Sequence, residues 1–303
     1  MNLRDLQYVV AVAEEGHFGH ASERCHVSQP ALSGQIKKLE DRLGVQLFER
    51  TNRRVAVTPI GAEVVEKARR LLLIADEITD AAAAYADPLA GSLRFGTIPT
   101  IGPYLLPSIL RPLKEALPKT QLTLSEDFTH ELERKLCSGD IDVAITATVP
   151  KESGLDEIPL YDEPFLVAFP EGHPLDTKSN VDVTTLDSSE LLLLKDGHCL
   201  SDQVARLCGL TRSNGVRGVD TQSSSLETIV GLVAAGAGIT FLPSSMIGAN
   251  GAPRPGITVR QATNEAAHRR VRMIFRETFP KRALLAAMSS VIMEHLPSGV
   301  TAL

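Results

Sequence analysis

The sequence predicts an α/β protein that begins with a winged helix-turn-helix, continues through a long linker helix and ends in a larger α/β region. Three observations lead to this fold class: helical periodicity with turn signals over residues 1–58, an unbroken helical pattern over 59–87, and short apolar runs alternating with helical patterns over 91–303. A chain of 303 residues is long enough for two or three domains with sizeable cores.

A first helix is predicted by apolar residues at helical spacing, and Gly16 ends it; these residues are Leu3, Leu6, Val9, Val10 and Ala13. A short second helix follows from His20 to about Cys25. The third begins after Ser28, a good N-cap, and Gly44 closes it. Its exposed face carries small polar side chains, which is typical of a helix-turn-helix that reads the major groove of DNA.

Residues 48–57 are predicted to form a hairpin with a basic tip, a wing suited to DNA phosphates or the adjacent minor groove. A helical core without a DNA role is the alternative, because the local excess of six basic over three acidic residues from Lys37 to Arg54 is also typical of a solvated face. The predicted contacts to double-stranded DNA are Arg4, Ser28, Gln29, Pro30, Ala31, Ser33, Gln35, Lys38, Arg50, Thr51, Arg53 and Arg54.

The linker helix is predicted to start at Thr58, an N-cap followed by Pro59, and to run without a breaker to Pro88. Apolar residues alternate at steps of three and four, forming a heptad seam that includes Val64, Ala68, Leu71, Ala75, Ile78 and Ala82. Such a seam packs either on its own domain or on a second copy. We favour a dimer helix, which gives two DNA-reading heads and a palindromic site.

After Gly91 the pattern changes to strands alternating with helices, which predicts parallel sheets. The predicted strands are 93–98, 121–124, 141–145, 165–169, 191–194, 216–219, 239–242, 257–259 and 271–275, and the predicted helices are 103–115, 129–138, 226–235 and 283–295. Crossovers near 161–165 and 263–271 would leave a cleft between two subdomains, the usual place for a small ligand.

Two cysteines stand nine residues apart, at Cys199 and Cys208. If the intervening segment is a helix, their Cα atoms are roughly 13 Å apart, whereas a disulfide tolerates about 7 Å. The pair therefore cannot bond unless the helix unfolds, which describes a switch between two incompatible structures. The helix start, His198 and Lys195 would favour a thiolate at Cys199.

The composition is that of a soluble globular protein, with 43% hydrophobic and 22% charged residues. No apolar run approaches ~18 residues and the N-terminus lacks a basic-then-apolar leader, so we expect a cytoplasmic location and no membrane partner. None of the four cysteines forms CxxC, so neither a metal site nor a cofactor is expected, and Cys25 and Cys137 are interpreted as structural. The net charge of −6 argues against indiscriminate nucleic-acid binding, although residues 1–58 carry +1 and the remainder −7.

Residues 21–50, which read AxxxCHVSQPALSGQIKKLEDRLGVQLFER, closely resemble the DNA-binding domain of LysR-type transcriptional regulators. The segments at 97–107, 160–164, 197–200 and 234–240, together with Cys208, are similar to the hydrogen-peroxide-sensing members of that family. The resemblance covers essentially the whole chain. It implies a periplasmic-binding-protein-like sensor, with subdomain I at about 91–161 and 268–303 and subdomain II at about 162–267.

By this resemblance Cys199 would be the peroxidatic thiol and Cys208 the resolving one, with no enzymatic turnover. Peroxide would be held by Thr100, Thr129, His198 and Arg269, although the run from 268 to 272 permits a slip to Arg270. Each residue also has a structural interpretation: both threonines suit helix N-caps, His198 a surface turn and Cys208 a buried core. The implied partners are hydrogen peroxide, a glutaredoxin- or thioredoxin-type reductant, RNA polymerase, and further copies of the chain as a homodimer and homotetramer.

Two other functions fit the same residues. The first is a regulator of this fold that senses a conventional metabolite in the cleft, with incidental cysteines. The second is a thiol peroxidase with an accessory DNA-binding domain, although the sequence shows no site for recycling by a reductase. A cellular response retained by Cys199→Ser would favour the first, and peroxide consumption with glutaredoxin would favour the second.

Overall fold

The structure, a computed structural model, describes residues 1–50, 55–210, 225–247 and 255–303. The predicted contacts Thr51, Arg53 and Arg54 and the predicted strand at 216–219 lie outside these ranges. The chain divides into two compact units, Met1–Tyr85 and Ala86–Leu303. No helix in the described ranges is both long enough and apolar enough to cross a membrane.

The first unit contains three short helices whose ends the sequence marks: α1 (Leu3–Glu15), α2 (Phe18–Arg24) and α3 (Gln29–Leu43). Gly16 and Gly44 end α1 and α3 in the left-handed conformation that glycine adopts without strain. The Ser28 hydroxyl accepts from the N–H of Ala31 and so caps α3. Helix α2 starts two residues before the predicted His20, because His17 Nδ1 accepts from the N–H of Gly19 at 3.0 Å.

A two-stranded wing follows, made of β1 (Phe48–Arg50) and β2 (Val55–Val57), which pair antiparallel with Phe48 opposite Val57. The core beneath the wing and helices is apolar and buried; it includes Val9, Val12, Leu32, Ile36, Leu39 and Leu47. Because Leu32, Ile36 and Leu39 of α3 point into this core, the polar face of α3 is left to solvent.

The linker helix α4 (Pro59–Ala86) spans 28 residues, and Thr58 Oγ1 accepts from the N–H of Gly61 at its start. Its predicted seam divides in two. Ala68 is buried against Leu6 and Val10 of α1, so this part packs within the unit. Further along, Leu71, Ile78 and Tyr85 are 44%, 68% and 95% exposed.

Replacement of Gly61 by alanine is expected to destabilise the first unit by about 1–3 kcal/mol. A Cβ at Gly61 would lie 2.1 Å from the backbone oxygen of Leu47, which cannot move as a flexible side chain can. Gly34 of α3 is the matched control, because among the described residues no atom lies within 4 Å of a Cβ built there. Amide hydrogen exchange in α1 and α3 should show faster opening for Gly61→Ala and slower opening for Gly34→Ala; equal rates would contradict the expectation.

The second unit has nine strands and five helices in the described ranges. The strands are β3 (Gly91–Thr97), β4 (Thr120–Glu126), β5 (Val143–Thr146), β6 (Leu155–Pro170), β7 (Asn180–Val181), β8 (Thr240–Pro243), β9 (Ile257–Ala262), β10 (His268–Arg276) and β11 (Thr301–Ala302). The helices are α5 (Gly102–Ala116), α6 (Thr129–Ser138), α7 (Cys199–Leu207), α8 (Leu226–Ala234) and α9 (Arg282–Glu294).

The sheet is mixed, so the prediction of parallel sheets is wrong for most of this unit. Parallel pairing joins β3 to β4 and β5, and β7 to β9. The other strand pairs of this unit in the described ranges are antiparallel: β10 with β5, and β6 with β8, β9, β10 and β11. The 16-residue β6 pairs with β10 along its first part and with β8 and β9 along its second.

The predicted strand at 191–194 is also wrong. Leu191 makes one isolated bridge to Ile239, and the residues after it continue as a loop. Leu191, Leu192 and Leu194 are nevertheless buried in the second core. A short apolar run reports burial but does not by itself distinguish a strand from a buried loop.

Two apolar cores lie within this unit, one for each predicted subdomain. The first includes Leu160 and Tyr161, and the second includes Phe165, Val167 and Phe169. Since these residues belong to one strand, β6 contributes to both cores, and the site described next lies where the two cores approach each other.

Candidate functional site

Helix α7 carries both cysteines of interest at its ends. Cys199 is its first residue, preceded by His198 as N-cap in extended conformation, and Cys208 is its C-cap. Both are free thiols. Cys199 packs against the first core, whereas Leu200 and Val204 are buried in the second. Helix α7 therefore contacts both subdomain cores, the first through Cys199 and the second through Leu200 and Val204.

The Cys199 pocket is small, with no free space for a water-sized molecule, and is lined by Ile98, Pro99, Thr100, Phe128, Thr129, Gly197, His198 and Cys199. Thr100 follows the carboxyl end of β3, and Thr129 is the first residue of α6 after β4. The N-caps of α5 and α6 are Ile101 and Phe128, so neither threonine takes the cap role. Parallel strands β3 and β4 thus place two hydroxyls at one edge of the sheet, beside Cys199.

Arg269 lies fully buried behind this pocket. Its Nη1 donates to Thr100 Oγ1 at 2.8 Å and its Nη2 to the Thr100 backbone oxygen at 2.7 Å. Its Nε donates to Glu163 Oε2 at 2.7 Å, and both side chains of this pair are 0% exposed. Arg270, the alternative assignment, instead points outward and pairs with Asp162 at 2.8 Å. It is Arg269 that the structure brings to the thiol.

The pKa of Cys199 is raised, because burial of the thiol outweighs the groups that favour its charged form. Among those groups Arg269 acts first, followed by the Thr129 hydroxyl, which has no other partner in the described residues, and the N–H of Leu200. Burial therefore outweighs the expected preference for a thiolate, and Arg269 is the largest of the groups that favour the charged form. Lys195 instead lies over the Phe128 ring at 5.4 Å, so the cation beside Cys199 comes from strand β10, about 70 residues away in sequence.

His198 is buried rather than placed in a surface turn, with 3% of its surface exposed. Its ring meets the edge of Phe128 at 4.8 Å between centroids, and Phe128 also packs against Gly197. Gly197 has a φ of +102°, which strains any residue with a Cβ. This turn brings the imidazole and the start of α7 to the same pocket.

Alkylation of Cys199 by iodoacetamide is expected to accelerate with pH, without a plateau near neutrality. Since burial raises the pKa of the thiol, each unit of pH below that pKa increases the reactive thiolate about tenfold. Peptide mass spectrometry after timed alkylation from about pH 6 to pH 9 would measure this slope. A rate that levels off below neutral pH would show that Arg269 and Thr129 outweigh burial.

The other cysteines lie in different surroundings. Burial raises the pKa of Cys208 to about 11, so this thiol is protonated at neutral pH. Cys25 packs half-buried in the first unit, where burial raises its pKa, and Cys137 packs half-buried against the first core of the second unit. Neither belongs to the residues that line the Cys199 pocket.

The predicted DNA-contacting residues in the described part of α3 and its surroundings are mostly exposed. Arg4, Ser28, Gln29, Pro30, Ala31, Gln35 and Lys38 are open to solvent, whereas Ser33 is half-buried. Arg50 lies at the end of β1, next to the undescribed tip. The unit therefore presents a polar helix face beside a wing.

Sequence reasoning missed Glu163 and Phe128 as parts of the site. Glu163 pairs with a residue 106 positions along the chain, so no local spacing connects them. Its one signal is register: a carboxylate and a guanidinium face each other only once β6 and β10 are paired. Phe128 has no polar or reactive group, so its residue type does not indicate a functional site.

Comparison with family models covers both units. Residues 3–62 match the bacterial regulatory helix-turn-helix protein model of the lysR family, and residues 86–297 match the LysR substrate binding domain. The chain belongs to the LysR family of bacterial transcriptional regulators.

Within that family it is similar to regulators named for hydrogen peroxide. It is 40% identical over 296 residues to the hydrogen peroxide-inducible genes activator of Dickeya chrysanthemi, covering 98% of this chain and 96% of that protein. It is also 40% identical over 292 residues to the DNA-binding transcriptional dual regulator OxyR of Escherichia coli K12, covering 96% and 95%.

Solved structures give the same result. A full-length OxyR cysteine mutant from Pseudomonas aeruginosa superposes with a TM-score of 0.79 at 40% identity, covering 98% of this chain and 99% of that one. An H2O2-bound OxyR cysteine mutant from Corynebacterium glutamicum gives 0.65 at 35% identity, covering 97% and 92%.

Proposed function

We propose that this chain is a peroxide-responsive, DNA-binding transcriptional regulator of the cytoplasm, in which hydrogen peroxide oxidises Cys199. The observation that carries the proposal is the position of the thiol. Cys199 begins a helix inside a small pocket with two hydroxyls and a buried guanidinium, and a second thiol caps the other end of the same helix. The names of the relatives and the H2O2-bound neighbour support this chemistry.

The first step is oxygen transfer. Cys199 loses its proton, and the thiolate attacks one oxygen of peroxide while the O–O bond breaks. The departing hydroxide takes a proton and leaves as water, so that thiol plus peroxide gives sulfenic acid plus water. In this proposal Thr100 and Thr129 would donate hydrogen bonds to peroxide, Arg269 would favour the thiolate, and His198 would close the pocket.

The second step is disulfide formation. The Cys208 thiol attacks the Cys199 sulfenic acid, an S–S bond forms and a second water leaves. The ends of α7 are about 13 Å apart by helix geometry, so this bond requires the helix to unfold. Unfolding removes Leu200 and Val204 from the second core and breaks the bond from Gln203 Nε2 to the Ala147 oxygen at 2.8 Å.

The repacked sensor unit then changes how a dimer holds its two reading heads on a palindromic promoter site. The exposed face of α3 and the wing would contact double-stranded DNA, and RNA polymerase would read the outcome. A glutaredoxin- or thioredoxin-type dithiol would restore the reduced form. The chain would act stoichiometrically rather than as an enzyme, and dimers would pair into tetramers.

Mass spectrometry under non-reducing conditions tests the proposal. After one equivalent of hydrogen peroxide, the full chain is expected to yield a linked peptide pair containing Cys199 and Cys208. Amide hydrogen exchange should show loss of protection in residues 199–207 at the same time. A product without this linkage, or a linkage formed while α7 stays protected, would overturn the proposed switch.

Replacement of Ile78 by glutamate is expected to prevent two chains from pairing through α4 and so to lower the mass of the assembly. Ile78 is 68% exposed on α4, in line with exposed Leu71 and Tyr85, and a dimer would bury this stripe. Glu77→Gln is the matched control, since it alters the adjacent position of α4 and not the stripe. Sedimentation measurements that show equal masses for Ile78→Glu and the parent chain would contradict a dimer through this face.

A metabolite sensor is less well supported by the site. Small-molecule pockets commonly enclose about 300–1,000 Å³, whereas the pocket at Cys199 has no free space for a water-sized molecule in this structure. Steady peroxide consumption in the presence of glutaredoxin, beyond one equivalent per chain, would instead support a thiol peroxidase.

A further inference from the structure

We propose that Glu163 is a positioning residue for the peroxide reaction: it fixes the Arg269 guanidinium so that the Thr100 hydroxyl donates into the Cys199 pocket. This inference rests on the proposed function and extends it to a residue that touches neither thiol nor peroxide. The inference rests on the hydrogen bonds among the buried side chains of Glu163, Arg269 and Thr100. The backbone N–H of Ser245 also takes part.

Strand register brings the Glu163 carboxylate beside the Arg269 guanidinium. Strands β6 and β10 pair antiparallel, with Glu163 directly opposite Arg269. Directly opposite residues share one face of a sheet, with Cβ atoms about 4.5–5.5 Å apart. The carboxylate therefore meets the guanidinium without any loop having to close, and Glu163 Oε2 lies 2.7 Å from Nε and 2.7 Å from Nη2.

The bond from Arg269 also determines where the Thr100 hydroxyl can donate its single proton. A threonine hydroxyl has one hydrogen to donate and two acceptor positions. Arg269 Nη1 donates to Thr100 Oγ1 at 2.8 Å, which occupies an acceptor position. The hydrogen of Thr100 is then left for an acceptor in the pocket, such as a peroxide oxygen. Rotation of the guanidinium would release this constraint.

Both carboxylate oxygens of Glu163 accept hydrogen bonds. While Oε2 accepts from Arg269, Oε1 accepts from the backbone N–H of Ser245 at 3.1 Å. Ser245 follows β8 in the second subdomain, so the carboxylate is anchored from one side and orients the guanidinium from the other. An amide has one oxygen and one NH2 group, and so it cannot accept at both of the positions that the two carboxylate oxygens occupy.

The test compares two reactions of Cys199 in full chains that carry Cys208→Ser, which stops the reaction at the sulfenic acid. Alkylation by iodoacetamide reports thiolate and access, whereas oxidation by hydrogen peroxide also needs the Thr100 donor. In Glu163→Gln, the ratio of the peroxide rate to the alkylation rate is expected to fall roughly tenfold across the whole pH profile. A purely structural role would change folding without changing this ratio for the folded protein.

Asp162→Asn is the matched control, because Asp162 pairs with Arg270 one position along the same two strands but on the solvent side. It should leave the ratio unchanged. Should Glu163→Gln fail to fold, Glu163→Asp keeps the charge and both oxygens but draws the guanidinium away from Thr100, and a smaller fall in the same ratio is expected.

A ratio for folded Glu163→Gln or Glu163→Asp equal to that of the Cys208→Ser parent overturns the inference. The proposed function fails separately: in that case Cys199 of the parent itself would be oxidised by peroxide no faster than Cys25 or Cys137 in the same chain. The two failures are thus distinguished by one set of measurements.

Discussion

Cys199→Ser is expected to abolish the response of the chain to peroxide. A serine hydroxyl keeps the size and the helix start but cannot accept an oxygen from peroxide to give a sulfenic acid, so no disulfide to Cys208 can form. The variant should remain in the reduced fold with α7 intact. We expect its footprint on promoter DNA to be identical before and after one equivalent of peroxide, whereas the footprint of the parent chain changes.

The matched control is Cys137→Ser, because Cys137 is also half-buried against the first core of the same unit but lies outside the pocket. Its footprint should change with peroxide as that of the parent does. A peroxide-dependent footprint that persists in Cys199→Ser would mean that the signal starts elsewhere, as in a metabolite sensor with incidental cysteines.

Arg269→Met is expected to cost about 3–5 kcal/mol in the free energy of unfolding of the second unit. The substitution leaves the fully buried Glu163 carboxylate without its cation, and it also removes two donors to Thr100. A buried charge without a partner is far more costly than the intact pair. Denaturant unfolding of the full chain, followed by far-ultraviolet circular dichroism, would measure the shift in the transition of this unit.

Arg270→Met provides the comparison, since Arg270 makes a similar pair with Asp162 on the solvent side. Water screens that pair, so its loss should move the transition far less. Combining Arg269→Met with Glu163→Leu removes both buried charges and should recover much of the lost stability. Similar transitions for the Arg269 and Arg270 variants would show that burial of the pair between Arg269 and Glu163 does not increase the cost of breaking it.

Local chemistry made much of the fold predictable. Ser28 and Gly44 mark the ends of the DNA-reading helix because a hydroxyl cap and a left-handed glycine act within a few residues of their own position. The helix at 129–138 was likewise predicted at its observed bounds. The mixed sheet was not, because the antiparallel pairing of β6 with β10 joins segments more than 100 residues apart and leaves no periodic signal.

The site was predictable in its members but not in its electrostatics. The sequence resemblance pointed to Thr100, Thr129, His198 and Arg269, and the fold brings Thr100, Thr129 and His198 around Cys199, with Arg269 behind Thr100. The protonation tendency of Cys199 depends on burial, which sequence neighbours do not reveal. Proximity in sequence suggested Lys195, whereas strand register supplies Arg269.

The packing of α7 into both cores has a consequence for the reduction potential of the cysteine pair. In the proposed switch, every contact that favours the helix, such as the buried side chains of Leu200 and Val204 or the Gln203 amide on Ala147, would belong to the dithiol state alone. For a two-electron couple, about 1.4 kcal/mol of such stabilisation corresponds to roughly 30 mV. Conservative substitutions along this helix would therefore set how oxidising the cell must become before the regulator reacts, without altering any reacting atom.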